Sequence, residues 1–230
     1  MSRTRIKICG LTREQDVDAA VEAGADAVGF VLYPKSPRYV TPRRAAELAQ
    51  RLPPFVTPVL LLVNEPAAAV HAALESVPNA LLQFHGDETP AQCLAAAAGR
   101  PWIRAARIPV DPAAPFDLLK FATEYSAAQA LLLDAHVEGY GGAGTSFPWS
   151  RLPTSASFHA VLSGGLTPAN VGDGIAQVRP RFRTLAVDVS SGVEADKGIK
   201  DAGKIHQFVA AVRAADERLA SSSHVPLPAA

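Results

Sequence analysis

The stretch Arg5-Ile6-Lys7-Ile8-Cys9-Gly10-Leu11-Thr12 carries the signal from which the fold of this chain can be worked out. Two isoleucines alternate with Lys7, which is typical of a β-strand at the start of a core. A glycine then interrupts the run, and Thr12 with Gln15 has the form of a helix capping box. We therefore predict a strand that ends at Cys9 and leads into a helix. A thiol there is either a catalytic group or an inert core residue, since free cysteine is often buried.

Short apolar runs separated by helical stretches follow along the whole chain. The predicted strands are Arg5–Cys9, Ala27–Leu32, Val56–Val63, Ala80–Phe84, Trp102–Ala105, Ala130–Leu133, His159–Leu162 and Thr184–Val189. Several are continuous apolar runs, as expected of parallel strands covered on both faces. Repeated β–α units of this kind predict an α/β fold, a single-domain TIM (βα)8 barrel with an eight-stranded parallel sheet. We assign residues 1–219 to the barrel and residues 220–230 to a disordered C-terminal tail.

Threonine marks several predicted helix starts besides Thr12. Thr89 and Gln92 form a second capping box, with proline at the first helical position. Thr41 and Thr167 are each followed by proline in the same way, so we predict that helices begin there as well. These starts place a helix after each of the corresponding strands.

The composition excludes several classes of protein. The chain has 230 residues, 48% of them hydrophobic, and a formal net charge of zero, so it lacks the basic face of a nucleic-acid-binding protein. No apolar run is long enough for a membrane span, and we expect no signal peptide because the chain opens on a strand. With only Cys9 and Cys93 we expect no disulfide framework and a cytoplasmic location. The histidines are scattered, so we predict no metal site.

In a parallel barrel the carboxyl ends of the strands share one face, where catalytic groups collect. The side chains and turns at those ends are Cys9, Arg38, Asn64, His85, Arg107, Asp134, Gly164-Gly165, Asp188 and Ser190-Ser191-Gly192. Asp134 follows three leucines, and desolvation there favours the neutral acid that a general acid must be. The alternative is an ordinary loop cap. Cys9 and Asp134 together form an acid–base pair of unlike groups. A thiolate base needs a nearby cation or helix start, which Lys7 or the helix after Cys9 would supply.

Two glycine- and serine-rich turns follow the last two strands. Gly164-Gly165 and Ser190-Ser191-Gly192 let backbone N–H groups approach an anion, and barrels often bind phosphate at these two loops. A plain tight turn is the alternative for either one alone. Arg38 lies in a proline-stiffened loop, where its guanidinium fits a carboxylate, although a lone arginine is often a solvated surface charge. The glycines of residues 139–144 suit a mobile lid, or simply a disordered loop.

Taken together these segments resemble the phosphoribosylanthranilate isomerases, TIM barrels of tryptophan biosynthesis. The matching stretches run in order from residue 5 to about residue 210: Lys7–Thr12, Gly24–Val31, Tyr33–Tyr39, Gln83–Glu88, Leu132–Asp134, Tyr140–Gly144, Leu162–Leu166 and Val187–Glu194. Each stretch alone is unspecific, but the combination is specific. The chain departs from the family pattern at Leu60, where glycine is common, at Thr145, where lysine is frequent, and at Pro148, where aspartate is frequent.

The resemblance implies a reaction and a role for each site residue. Cys9 would be the general base, Asp134 the general acid and Arg38 the clamp on the anthranilate carboxylate. His85 and Asp188 would also bind the substrate, with Asp188 facing the ribose hydroxyls. The phosphate of the substrate would be held by the backbone and side chains of Gly164, Gly165, Ser190, Ser191 and Gly192.

The implied reaction is the Amadori rearrangement of N-(5-phosphoribosyl)anthranilate, with no metal or organic cofactor. The partner would be a small phosphorylated molecule, with no nucleic acid or membrane, and the assembly a monomer or homodimer. Two alternatives remain at this stage. One is a related barrel acting on another aminoaldose phosphate, and the other is a non-catalytic phosphate-ligand sensor.

Overall fold

The computed structural model describes residues 3–111, 113–136 and 146–222, and eight parallel strands in it close into a barrel. They are β1 Arg5–Cys9, β2 Ala27–Val31, β3 Thr57–Leu62, β4 Leu81–Phe84, β5 Trp102–Pro109, β6 Ala130–His136, β7 Ala156–Leu162 and β8 Phe182–Val189. Each strand pairs with its neighbour in sequence, and β1 also pairs with β8, which closes the ring. The predicted TIM barrel and its strand order are confirmed.

Helices cover the outside of the barrel. They are α1 Glu14–Ala23, α2 Pro42–Ala49, α3 Ala67–Ser76, α4 Pro90–Ala97, α5 Leu118–Glu124, α6 Val171–Val178 and α7 Ala202–Ser222. Between β6 and β7 the described residues contain only a short 3-10 turn, Trp149–Arg151. A small hairpin of β9 Glu194–Asp196 and β10 Ile199–Lys200 follows β8 and leads into α7.

Two predicted helix starts are confirmed. The Thr41 hydroxyl accepts a hydrogen bond from the Arg44 amide and begins α2. Thr89 and Gln92 form the reciprocal capping box at the start of α4, with proline at the first position. Where a threonine cap is followed by proline and no tertiary partner competes for the hydroxyl, the local signal is enough to place the helix start.

The other two predicted starts are wrong, because a tertiary contact takes the Thr12 hydroxyl and a local turn takes the place of the first helical residues at Thr167. The Thr12 hydroxyl donates to the carbonyl oxygen of Gly198 at 3.0 Å, and α1 begins only at Glu14. The Thr167 amide donates to the side-chain oxygen of Asn170 at 2.8 Å, and a turn precedes α6 at Val171. The first of these helices starts one residue later than the sequence predicts, and the second starts three residues later.

The apolar core forms two layers. A small cluster of Ile103, Ala105, Leu132 and Val161 fills the lower barrel interior, and a larger cluster lies between the strands and the helices. Leu60, the departure on β3, is fully buried and belongs to the outer cluster, so its bulk faces the helix layer. Pro148 precedes the 3-10 turn between β6 and β7.

Several predictions fall on parts of the chain without a described structure. The glycine-rich lid and Thr145 lie outside the described residues. So does most of the predicted tail, because α7 extends to Ser222 and the description ends there. The boundary at residue 219 therefore stays a prediction. None of the helices in the described ranges is long and apolar enough to cross a membrane.

Candidate active site

Cys9 is the last residue of β1, and its thiol points into the upper barrel among buried groups. It is 4% exposed. Gly29 lies opposite Cys9 on β2. A Cβ atom on Gly29 would lie 2.7 Å from the Cys9 Sγ and 3.1 Å from the Lys7 Cε, closer than real side chains pack. Glycine at position 29 therefore makes the space in which the thiol and Lys7 meet.

Lys7 turns into the barrel and links Cys9 to β8. Its Nζ donates to Asp188 Oδ1 at 2.8 Å, and it also hydrogen-bonds the thiol of Cys9. The second oxygen of Asp188 accepts from the Ser163 hydroxyl at 3.2 Å. Burial by itself lowers the pKa of Lys7, but the Asp188 carboxylate and Cys9 outweigh it and the pKa is raised. Lys7 is therefore a permanent cation beside the thiol.

The thiol of Cys9 nonetheless has a raised pKa. Burial is the largest cause, and the Asp188 carboxylate adds to it, while Lys7 and Lys200 act in the opposite direction. We expected a lowered pKa from a helix start and Lys7. Burial and the Asp188 carboxylate outweigh the two lysines. At rest Cys9 is therefore a protonated thiol with two ammonium groups close enough to stabilise its thiolate.

Arg38 is a buried member of the site and not a solvated surface charge. It is 7% exposed and lies across Gly10, where an added Cβ would be 2.5 Å from its Cδ. Its Nε and Nη2 each donate to one carboxylate oxygen of Glu194 at 2.7 Å, and this pairing raises the pKa of Arg38. Lys200 also donates to Glu194, at 2.7 Å, and to the Ser190 carbonyl at 3.0 Å. The β9–β10 hairpin thus supplies the groups that hold Arg38.

Asp134 belongs to a second buried cluster, on β4 and β6. Its Oδ2 lies 3.0 Å from Nε2 of His85, and Nδ1 of His85 lies 3.0 Å from the amide nitrogen of Gln83. All three side chains are buried. A Cβ on Gly164 would lie 3.0 Å from Asp134 Oδ1, so the other oxygen of the acid adjoins the loop after β7.

The loops after β7 and β8 touch each other. Gly164 and Gly165 have φ of 78° and 62°, a left-handed conformation that favours glycine. A Cβ on Gly192 would overlap the carbonyl oxygen of Leu166, so glycine is required where the two loops meet. The Ser190 hydroxyl donates to the carbonyl oxygen of Cys9 at 3.0 Å, which joins this double loop to β1.

The two remaining strand-end candidates lie at the rim. The side-chain oxygen of Asn64 accepts a hydrogen bond from the backbone N–H of Asp87 at 2.7 Å. The backbone N–H of Asn64 donates to the Glu88 carboxylate at 2.7 Å. Arg107 pairs with Asp87. These contacts join the loops after β3 and β4 to the end of β5.

Sequence reasoning found most of the site but missed four members: Gly29, Gln83, Glu194 and Lys200. Gln83 lies two residues from the predicted site residue His85, so the period of two could have identified it. Gly29 lies on a strand for which no site residue was predicted. Glu194 and Lys200 lie in a hairpin beyond the last predicted strand, where no local pattern points inward. No group of three or more metal-ligating side chains is found within residues 3–111, 113–136 and 146–222.

The comparison with known proteins agrees with this geometry. The family model of N-(5'-phosphoribosyl)anthranilate (PRA) isomerase matches residues 6–211. The chain belongs to the N-(5'-phosphoribosyl)anthranilate isomerase family. The protein of that name from Leptothrix cholodnii is 62% identical over 222 residues, which is 96% of each chain. The one from Methylibium petroleiphilum is 62% identical over 96% of this chain and 99% of its own length.

Solved structures of the family superpose on the same barrel. The Thermotoga maritima phosphoribosyl anthranilate isomerase is 38% identical, with a TM-score of 0.77 over 92% of this chain and 99% of that one. A complex of such an isomerase with reduced 1-(o-carboxyphenylamino)-1-deoxyribulose 5-phosphate is 36% identical, with a TM-score of 0.75 and the same coverage. The chain is thus an aldose–ketose isomerase of tryptophan biosynthesis, which confirms the family resemblance and its implied activity.

Proposed function

We propose that the chain performs the Amadori rearrangement of N-(5-phosphoribosyl)anthranilate to 1-(2-carboxyphenylamino)-1-deoxyribulose 5-phosphate with Cys9 as base and Asp134 as acid. The observation that carries the assignment is the arrangement of two buried clusters at the carboxyl ends of the strands. One joins Cys9 to Lys7 and Asp188, and the other joins Asp134 to His85. An acid and a base of different chemistry are thereby kept apart on one face of the barrel.

The rearrangement requires one proton to be donated to the ring oxygen and one to be removed from C2. Asp134 donates a proton to the furanose ring oxygen, the ring opens, and the anthranilate nitrogen becomes a protonated imine. Cys9 then removes the proton from C2, and the electron pair of that bond forms an enolamine that tautomerises to the ketone. The substrate's own imine accepts the electrons. Because burial raises the pKa of Cys9, its thiolate depends on the Lys7 and Lys200 ammonium groups.

We assign the two ends of the substrate to different parts of the site. The Nε and Nη2 atoms of Arg38 donate to Glu194. We assign the N–H groups of Nη1 to the anthranilate carboxylate. Asp188 accepts one hydrogen bond on each oxygen, from Lys7 and Ser163, and a carboxylate accepts about four, so capacity remains for a ribose hydroxyl.

The phosphate is assigned to the double loop after β7 and β8. The left-handed turn at Gly164 and Gly165 and the close contact of Gly192 with Leu166 bring backbone amides of both loops to one place. The Ser190 hydroxyl already donates to the Cys9 carbonyl, and the Ser191 hydroxyl lies in the same loop. We infer that Gly164, Gly165, Ser190, Ser191 and Gly192 bind the phosphate oxygens through backbone N–H groups, together with the Ser191 hydroxyl. Lys200, which donates to the Ser190 hydroxyl at 3.2 Å, adds positive charge beside them.

We further propose a monomer or homodimer located in the cytoplasm. A Thermotoga maritima structure, 34% identical, is of monomers generated from a dimeric isomerase, so the fold occurs in both states. Phe55 is fully exposed with a φ of 72°, an unfavourable combination that a subunit contact would offset. Sedimentation of the wild type and of Phe55→Ser tests this. Cys9 and Cys93 are both free thiols, which fits a reducing compartment.

The decisive experiment is a direct assay with a cysteine control. Phosphoribosylanthranilate is generated from anthranilate and phosphoribosyl pyrophosphate by a separate transferase, and its fluorescence is followed after the chain is added. We expect rapid loss of fluorescence with the wild type and with Cys93→Ala, and a kcat at least about 100-fold lower with Cys9→Ala. Near-normal turnover of Cys9→Ala would remove Cys9 from the mechanism. No turnover by the wild type would favour another aminoaldose phosphate or a non-catalytic barrel.

A further inference from the structure

We propose that Gln83 is a positioning residue that fixes the tautomer of His85 and, through it, the orientation of the acid Asp134. The inference rests on the proposed role of Asp134 as general acid and adds a third residue to it. Gln83 and His85 are two residues apart around β4, so both side chains point to the same side of the sheet, into the barrel. They meet Asp134 from β6 there.

The hydrogen-bond pattern determines where the imidazole proton lies. The amide nitrogen of Gln83 has only N–H donors and lies 3.0 Å from Nδ1 of His85, so Nδ1 accepts. A neutral imidazole then carries its proton on Nε2, which donates to Asp134 Oδ2 at 3.0 Å. Both ring nitrogens are thus engaged with protein groups. We therefore assign His85 to Asp134 and not to the direct substrate contact that the family resemblance implied.

The side-chain oxygen of Gln83 is left unpaired, which indicates that the Gln83–His85 contact serves a purpose other than stability. Oε1 is buried without a hydrogen-bond partner among the described residues. Such an unpaired group is costly, and an apolar side chain of similar shape would avoid the cost. In the observed orientation one N–H of the amide donates to Nδ1 of His85, and the oxygen lacks a partner among the described residues. The reverse orientation would turn both N–H donors away from His85, toward the place where the oxygen finds no partner now.

The consequence concerns the oxygen of Asp134 that donates the proton. Because His85 occupies Oδ2, the transferable proton belongs on Oδ1. That oxygen adjoins Gly164, the first glycine of the turn that we assign to the phosphate. The hydrogen-bonded series Gln83–His85–Asp134, which we call the relay, therefore directs the acidic proton toward the sugar end of the substrate. If the tautomer were reversed, Nε2 would accept the acidic proton of Asp134 on Oδ2 and hold it away from Oδ1 and the substrate.

The test compares two substitutions of similar shape with a surface control. Gln83→Met removes the donor, Gln83→Glu replaces it with an acceptor, and Gln207→Met changes an exposed glutamine on α7. For each, kcat and KM are measured, and ¹⁵N NMR of histidine-labelled protein reports the protonation of the two ring nitrogens. The His85 signals are assigned with His85→Asn.

We expect Gln83→Met to fold, to lower kcat by about 10-fold to 100-fold, and to change KM little, since a misplaced acid affects the chemical step. Its His85 signals should report a mixture of tautomers instead of the Nε2–H form. In Gln83→Glu the carboxylate can only accept from Nδ1, so the His85 signals should move toward the Nδ1–H form. Gln207→Met should match the wild type in every respect.

Wild-type kcat in Gln83→Met would overturn the proposal, and so would unchanged His85 signals in either Gln83 variant. The NMR readout also separates this proposal from the proposed function. If the wild type shows the Nε2–H tautomer but no isomerase activity, the assigned reaction fails while the relay stands. If the wild type is active and its His85 does not carry the proton on Nε2, the relay alone fails.

Discussion

Lys7→Met is the substitution that probes the electrostatics of the site most directly. Lys7 and Asp188 form a salt bridge of 2.8 Å whose side chains are only 7% and 6% exposed, so solvent screens it little. Methionine has a similar length and no charge, and it leaves Asp188 buried without its ammonium partner. Removing one partner of a buried pair costs about 3–5 kcal/mol. We expect the free energy of unfolding to fall by about that amount, measured by urea denaturation followed by circular dichroism.

The matched control is the double variant Lys7→Met/Asp188→Asn. It removes both charges and keeps an oxygen that can accept from Ser163, so it should recover most of the lost stability. The pH dependence has a definite sign. The pKa of Lys7 is raised above its ordinary value of 10.5, so the contribution of its charge is fully present below that pH and is lost as the pH rises further. The difference between wild type and Lys7→Met should therefore be the same at about pH 7 and pH 9, where Lys7 stays charged.

The same substitution should slow the reaction of Cys9 with iodoacetamide. Lys7 opposes the effect of burial on the thiol, so its loss raises the pKa of Cys9 further. Each pKa unit lowers the thiolate population about 10-fold, equivalent to about 1.36 kcal/mol. Cys93, buried in α4, reacts only if the protein opens and serves as the internal monitor. Two results would refute the reasoning: a stability loss below about 1 kcal/mol, or an alkylation rate of Cys9 that equals or exceeds the wild-type rate.

Four further outcomes are expected. Asp134→Asn should lower kcat by about 100-fold or more in the fluorescence assay, since the amide N–H can hydrogen-bond the ring oxygen but is not acidic enough to protonate it. Arg38→Ala should chiefly raise KM, and an unchanged KM would show that Arg38 does not touch the substrate. Gly29→Ala should lower kcat at least about 10-fold by displacing the Cys9 thiol, with circular dichroism showing an intact barrel. Because burial raises the pKa of Cys9 above its ordinary value of 9.0, its alkylation rate should still be rising above about pH 10, where an ordinary thiol has levelled off.

Local sequence patterns are enough to predict the barrel and to place the candidate acid and base on it. Strand periodicity and helix caps are local signals, and they place each strand within a few residues. Once the strands are known to be parallel, ring closure brings their carboxyl ends together, and Cys9, Asp134 and the two glycine-rich turns fall on one face. That is why an acid, a base and a phosphate loop could be predicted from one chain.

The pairing of distant side chains and the ionisation state of the buried groups follow from the tertiary structure alone. Lys7 and Asp188 are 181 residues apart and meet because β1 pairs with β8 in register, and Arg38 meets Glu194 across 156 residues. Local sequence carries no information on such pairing. The raised pKa of Cys9 has the same origin, because burial and the surrounding charges are properties of the closed barrel. Thr12 likewise has a good capping pattern, but Gly198, brought beside it by the fold, takes its hydroxyl.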